Sequence, residues 1–331
     1  MSDDVYKPPY ALTERIVDLV ERIGEELGRA SVGERSLRLR RANRIRSIHG
    51  SVAIEGNTLS EEQVSAILEG KRVIAPPREI LEVQNALEAY DQLVGWSPAN
   101  ESDLLSAHAV MMNGLLDDAG RYRVKSAGVA GKEGVIHVAP PADRVPFLMK
   151  QLFQWLETTE LHPLVSGAVF HYEFEFIHPF ADGNGRMGRL WQTLILCRWN
   201  SVFGDIAVES MIHEHQQEYY EAINASNAAV NCAPFIEFML QVILETIQTD
   251  QVDDQVSDQV KRLLDAVGGG RLSASELMER LGLSHRPTFR KNYLKPALEG
   301  GLVAMTLPDS PRSPTQKYFL TSKGKRLLEM V

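Results

Sequence analysis

The sequence predicts a mainly helical chain: a helical core interrupted by one short β-hairpin, then a small C-terminal unit ordered as a winged helix-turn-helix. Three observations predict it. Apolar residues recur at helical spacing over most of the first 250 positions. Strand-like valines punctuated by glycine stand out there in one stretch, between Arg123 and Pro141. Past a polar, acidic run from Gln248 to Gln259, read as a linker or an exposed helix end, short helices and two strand-like runs follow.

Taken in order, Leu12, Ile16, Leu19, Ile23 and Leu27 make one amphipathic helix. A basic segment, Arg38 to Arg46, leads into Ile45, Ile48, Val52 and Ile54, and this helix stops at Glu55-Gly56-Asn57. Ser60-Glu61-Glu62-Gln63 is a capping box opening the next helix, which Pro76-Pro77 breaks before helix resumes from Ile80 to Leu93. After the hairpin come helices over Val145–Leu156, Leu164–Phe176, Gly185–Trp199, Gln216–Asn227 and Pro234–Gln248. In the last unit Val260–Val267, Ser273–Leu281 and Pro287–Leu298 read as helices. Strand-like runs Leu302–Leu307 and Lys317–Leu320 flank the turn Pro308-Asp309-Ser310-Pro311, and a helix closes the chain from Ser322 to Met330.

Composition narrows the function classes. With 331 residues, 44% apolar and 24% charged, the chain is globular and long enough for two or three domains. Two cysteines, Cys197 and Cys232, exclude a disulfide framework and a four-cysteine zinc site. His162, His171, His213 and His215 have no cysteine or carboxylate set at metal-ligand spacing. No apolar run reaches the length of a membrane span, and the acidic, proline-rich start lacks the pattern of a secretion signal, so a cytoplasmic location is expected. The net charge of −9 is unevenly spread: residues 257–331 carry 13 Lys and Arg against 7 Asp and Glu. Only this basic tail suits nucleic acid.

The chemistry concentrates in His178-Pro179-Phe180-Ala181-Asp182-Gly183-Asn184-Gly185-Arg186-Met187-Gly188-Arg189. Gly183 and Gly185 permit a tight turn and close approach of backbone to a ligand. A helix starting near Gly185 points free N–H groups at that turn, which suits phosphate. Arg186 and Arg189, three apart on one helical face, can clamp further phosphate oxygens. Asp182 is a hard oxygen ligand for Mg²⁺ against those phosphates. His178 at the mouth of the turn is the residue type best suited to take a proton near neutral pH. Anion cradle, metal ligand, leaving-group cations and base are together the parts of phosphoryl-type chemistry.

The segment resembles the signature of the Fic family, which transfers AMP from ATP to hydroxyl side chains of proteins. The likeness runs from about Ala30 to Ile247. It includes Gly120-Arg121-Tyr122-Arg123, the hairpin before Pro140-Pro141, and Tyr219-Tyr220 followed by Asn227. It implies a Fic-type helical core with Mg²⁺ as cofactor and ATP as co-substrate. His178 would be the base, Phe180 an apolar anchor under the loop, and Asp182 the metal ligand. Gly183, Asn184 and Gly185 would hold the α- and β-phosphates, and Arg186 and Arg189 the far end. Tyr219, Tyr220 and Asn227 would border the adenine.

A second likeness lies upstream. Ser51-Val52-Ala53-Ile54-Glu55-Gly56-Asn57 is similar to the inhibitory motif (S/T)xxxE(G/N) of some Fic proteins, so Glu55 is expected to hold Arg189 in the resting protein. A carboxylate near a helix C-terminus opposes the macrodipole by about 0.3–1 kcal/mol and favours such a cation. The bland alternative is an exposed Glu beside a capping Gly. Val135, Ile136, His137 and Val138 would form a flap that adds a strand to the target protein, against a purely structural hairpin. The expected division is 1–100, N-terminal helical region; 101–250, catalytic core; 257–331, winged helix. The implied partners are ATP, a protein target and the chain itself as target, with DNA or a docking protein open for the tail. Membrane is not among them, and a homodimer stays open. A rival from another class is a DNA-binding regulator whose core senses nucleotide.

Overall fold

The computed structural model describes residues 6–30, 37–126, 128–131, 134–255, 258–308, 313 and 315–329. Its contacts divide the chain into two units, Met1–Ile247 and Gln248–Val331, each with its own apolar core. No described helix is long and apolar enough to cross a membrane.

The first helix, α1 (Glu14–Ala30), buries Ile16, Leu19, Ile23 and Leu27 as their spacing predicts. Leu12 does not join them. Thr13 Oγ1 accepts the Ile16 N–H at 3.1 Å, so the helix starts after Leu12, which stays exposed. Helix α2 (Leu37–Ile54) ends where expected: Gly56 takes φ +92°, and the Asn57 N–H reaches back to the Val52 carbonyl. Ser60 and Gln63 form the predicted capping box of α3 (Glu61–Leu68). The next helix, α4 (Pro77–Gln92), begins three residues earlier than read. Helix α3 already ends at Leu68, ahead of the prolines expected to break it, and Pro77 sits in the first turn of α4, where the missing N–H costs nothing.

Helix α5 (Glu101–Met111) was not anticipated. Asn100 caps it by accepting the Ser102 and Asp103 N–H groups, and Leu104, Ala107, His108 and Met111 form its buried stripe. The hairpin follows, with β1 (Gly128–Gly131) antiparallel to β2 (Gly134–Val138) and a register shift between Val129 and Ala130. Next come α6 (Val145–Thr158), α7 (Pro163–Ile177) and α8 (Asn184–Trp199), close to their predicted bounds. Most of α7 and of the first three turns of α8 is buried. A short helix, α9 (Val208–Glu214), was also missed, before α10 (Gln216–Ala229) and α11 (Ala233–Gln255). The last of these carries helix well into the stretch read as linker or helix end.

One buried carboxylate locks these helices together. Glu209 on α9 accepts from Ser47 on α2, Tyr90 on α4 and Thr193 on α8 at 2.7–2.9 Å. The middle of α2 is thereby held against α8, the helix that follows the chemistry-bearing turn.

The second unit runs α12 (Asp258–Val267), β3 (Leu272–Ser273), α13 (Ala274–Arg280), α14 (Arg286–Phe289), a π-helical turn (Arg290–Leu294), α15 (Lys295–Glu299), β4 (Val303–Met305), β5 (Lys317–Leu320) and α16 (Ser322–Glu329). The strands form an antiparallel sheet in the order β3-β5-β4, with Leu272 opposite Tyr318 and Val303 opposite Leu320. Strand β3 was not read from the sequence. The single helix expected over Pro287–Leu298 is instead wound through the π turn. Of the turn between the two long-range strands, Asp309, Ser310 and Pro311 lie outside the described residues. Phe289, Tyr293, Leu294 and Ala297 face the core while Arg286, Arg290, Lys291 and Lys295 are exposed.

Candidate active site

The predicted turn joins the two central helices. Helix α7 ends at His178, whose backbone is left-handed (φ 50°) while its N–H still bonds the Phe174 carbonyl at 2.9 Å. Gly183, at φ 84°, precedes α8 in a conformation that favours glycine. Between them the loop is braced from within. Asn184 Oδ1 accepts the Phe180 N–H and its Nδ2 donates to the Phe180 carbonyl, both at 2.9 Å. The Asn184 side chain thus holds the loop's shape through both its oxygen and its nitrogen.

Two residues to which the sequence reading assigns no role, His108 and Arg123, clamp the loop from outside. The His108 ring on α5 stacks on Phe180 with centroids 3.6 Å apart. Its Nδ1 accepts the Gly120 N–H at 2.8 Å, so its proton sits on Nε2, 3.0 Å from the Asp182 carbonyl. Burial pushes its pKa down to about 4, which keeps the ring neutral and that tautomer in place. Arg123 donates to the carbonyls of His178, Ile177, Lys125 and Pro140, tying the end of α7 to the two roots of the hairpin. Phe180 lies buried between His108, Tyr122 and Phe174.

The charged groups fall into two sets. Asp182, nearly half exposed, accepts from Gly183 N at 2.6 Å and Arg186 at 3.3 Å, with Arg78 of α4 at 3.5 Å. Arg186 is itself buried, with Glu82 3.9 Å away on its other side. Deeper in, Arg189 donates to the Ser51 carbonyl at 2.9 Å and to Glu55 Oε1 at 2.7 Å. Burial disfavours its charge, but Glu55 more than compensates, so its pKa stands above the usual value. The Glu55 carboxylate also covers the first turn of α8: a Cβ at Gly185 would lie 2.2 Å from Oε1. A carboxylate therefore rests on the positive end of α8 and on its buried arginine, the place read from the sequence as a phosphate site.

Other predicted residues are placed as follows. Tyr219 is buried, its hydroxyl 3.1 Å from His171 Nε2, while the neighbouring Tyr220 is partly exposed. Asn227 accepts from Tyr172 at 2.8 Å. Gly56 is the turn residue after α2. Val135, Ile136, His137 and Val138 are in β2. Among the described residues no cluster of three or more His, Cys, Asp or Glu is arranged for a metal. Asp182 alone fits Mg²⁺, because that ion commonly binds one or two carboxylates and takes its other ligands from water and substrate phosphates.

Two carboxyls of α7 bear on stability. Burial pushes Glu173 up to about 7, although Tyr6 donates to it, and pushes Glu175 up to about 8, with the charge of Glu55 adding to the effect. Both hold protons in the fold that the unfolded chain releases near 4.5. Their favourable contribution is complete below that value and fades as pH rises toward 8. A Glu173→Gln/Glu175→Gln protein should therefore gain on wild type in Tm as pH goes from 5 to 8, by about 4 °C or more. A Tm difference that stays constant over that range would refute the assignment.

Fold and turn together define a helical domain built around a glycine turn that feeds a helix N-terminus, with a histidine at its mouth. A model described as the Fic/DOC family matches residues 98–196, and one described as the Fic-like C-terminal domain matches residues 258–321. A solved Fic family protein from Desulfovibrio desulfuricans G20 is 52% identical over 96% of this chain and 99% of its own, with a TM-score of 0.72. The chain belongs to the Fic family. Curated relatives named protein adenylyltransferase Fic are more distant. Those of Aedes aegypti and Nematostella vectensis are each 28% identical, over 63% and 71% of this chain. The chain spans about half the length of these relatives, 43% and 56% respectively.

Proposed function

We propose that the protein transfers AMP from ATP to a hydroxyl side chain of a target protein and of itself, and that Glu55 holds it at rest. The observation that carries this reading is the Glu55 carboxylate bound to Arg189 and seated on the first turn of α8. A site that accepts an internal carboxylate there is built for an anion of the same reach. Residues 1–100 would act as the regulatory region, 101–250 as the catalytic core and 257–331 as a winged helix. A cytoplasmic location fits ATP as co-substrate.

In this reading His178 removes the proton of the target hydroxyl, whose oxygen attacks the α-phosphorus. The bond from that phosphorus to the bridging oxygen breaks, and pyrophosphate leaves with its charge met by Arg186, Arg189 and the N–H groups of α8. Mg²⁺ held by Asp182 would neutralise part of the phosphate charge. Tyr219, Tyr220 and Asn227 would stand on the adenine side, and the β2 strand would align the target through main-chain hydrogen bonds. Label transferred from α-labelled ATP but not from γ-labelled ATP supports AMP transfer; the reverse result makes the protein a phosphotransferase.

The second unit supports an added role. Four exposed cations, Arg286, Arg290, Lys291 and Lys295, lie on the helix that a winged helix sets in a DNA groove. Full-length protein is expected to shift genomic fragments at low salt, with affinity falling steeply as salt rises. Replacing Arg286, Arg290 and Lys291 with alanine should abolish the shift. No shift of any fragment by the wild type leaves the unit as a protein-docking module.

A further inference from the structure

Between the turn and the Glu55–Arg189 pair stands a carboxyl that this reading leaves unused. Glu175 lies one helical turn before His178 on α7. Its Oε2 is 3.9 Å from His178 Nδ1, a ring atom turned into the interior. That is an ion-pair distance, and closing it by about 1 Å makes a hydrogen bond. Its Oε1 is buried with no hydrogen-bond partner, 3.9 Å from His171 Nε2 and close against Gly188. The charged and titratable groups that face Glu175 are Glu55 from α2, Arg189 from α8, Tyr219 and Tyr220 from α10, and His171 and His178 at its own helix. His171 is held neutral, its pKa pushed down to about 3 by burial. Arg189 is the one strong cation among them, and Glu55 already engages it.

Two carboxylates beside one guanidinium cannot both ionise cheaply. While Glu55 holds the arginine, burial and the charge of Glu55 together keep Glu175 protonated. A protonated carboxyl near Nδ1 donates to it. The histidine proton then sits on Nε2, which has no lone pair left for a substrate. An ionised Glu175 does the opposite. It accepts from Nδ1–H, frees the Nε2 lone pair, and stabilises the imidazolium that forms when the hydroxyl proton arrives.

We propose that Glu175 is a positioning residue for His178 and takes over the negative charge when Glu55 leaves Arg189, so that the event that frees the anion site also arms the base. The proposal rests on the reading of His178 as the base, and its test is independent of transfer. The His178 ring is titrated by NMR in ligand-free full-length protein, its resonance assigned by its loss in His178→Ala. Deleting a nearby carboxylate ordinarily lowers a histidine pKa. Here Glu55→Gly should raise that of His178, by about one unit. Adding Glu175→Gln should abolish the rise and turn it into a fall. Glutamine is nearly the shape of a protonated glutamic acid, so the fold is kept, and a second variant, Glu175→Asp, should retain part of the rise. At saturating ATP, Glu175→Gln in the Glu55→Gly background should lower the AMP-transfer rate about ten-fold and leave KM for ATP unchanged. An unchanged or lowered His178 pKa in Glu55→Gly overturns the proposal, as does a rise that survives Glu175→Gln. A rise that depends on Glu175 in a protein that transfers no AMP upholds the coupling and refutes the transferase reading instead.

Discussion

Replacing Glu55 with glycine is expected to raise self-modification at saturating ATP by about ten- to a hundred-fold, with a smaller change in affinity for ATP. The expectation follows from where the carboxylate sits. It binds Arg189 at 2.7 Å and covers the first turn of α8, so a phosphate tail must go elsewhere while it stays. ATP that binds with its tail displaced presents the α-phosphorus off line, and a small misplacement of a reacting centre costs a large factor in rate. The arginine is not stranded by the substitution, because it keeps its 2.9 Å bond to the Ser51 carbonyl. Glu55→Asp should activate partially, since the shorter side chain reaches the guanidinium poorly. Arg189→Ala should not activate, because the same cation is needed by the nucleotide. Initial rates of AMP incorporation, measured on proteins with matching unfolding curves, decide it. Equal rates for wild type and Glu55→Gly would reduce Glu55 to a helix-end residue.

The second large effect belongs to His178. Its replacement by alanine should lower AMP transfer by about a hundred- to ten-thousand-fold while ATP still binds, because the proposed anion site is made of α8 backbone, Arg186 and Arg189. Position 178 has a left-handed backbone, and its carbonyl is held by Arg123 at 2.7 Å, so alanine adds some strain to the loop. Asparagine tolerates that backbone better, and His178→Asn should be as inactive as His178→Ala. Single-turnover assays with calorimetric ATP binding separate the two roles. Transfer above a few per cent of wild type in both variants would mean that another group takes the proton.

The legibility of this protein follows the range of its interactions. The turn and α8 were readable because the residues proposed as cradle, metal ligand, base and cations lie within twelve consecutive positions, and a glycine turn feeding a helix N-terminus has its shape from local rules. Helices α1, α2 and α3 were readable from apolar period and from end signals such as Gly56 and the Ser60–Gln63 capping box. Even the approach of Glu55 to Arg189 had a trace in the sequence, a carboxylate at a helix end that calls for a cation.

What the sequence did not disclose depends on distant segments packing together. Helix α5 has its own signals in the cap Asn100 and the apolar spacing from Leu104 to Met111, but neither assigns His108 a role. That histidine supports a loop some seventy positions away, and only tertiary structure brings its ring over Phe180. Arg123 stood in a quoted motif, yet its four carbonyl partners come from three separate segments. Glu209 gives no sequence signal of its own until hydroxyls from α2, α4 and α8 converge on it. Glu175 is the sharpest case. Its helix position is local, but its protonation is decided by burial and by Glu55, 120 positions away. The amino-acid sequence by itself determined the turn, the helix that follows and the residue types suited to an anion. Tertiary structure alone decided which groups hold that turn rigid and which carboxyl keeps its proton, because burial and the charges across a packed interface are properties of the assembled fold.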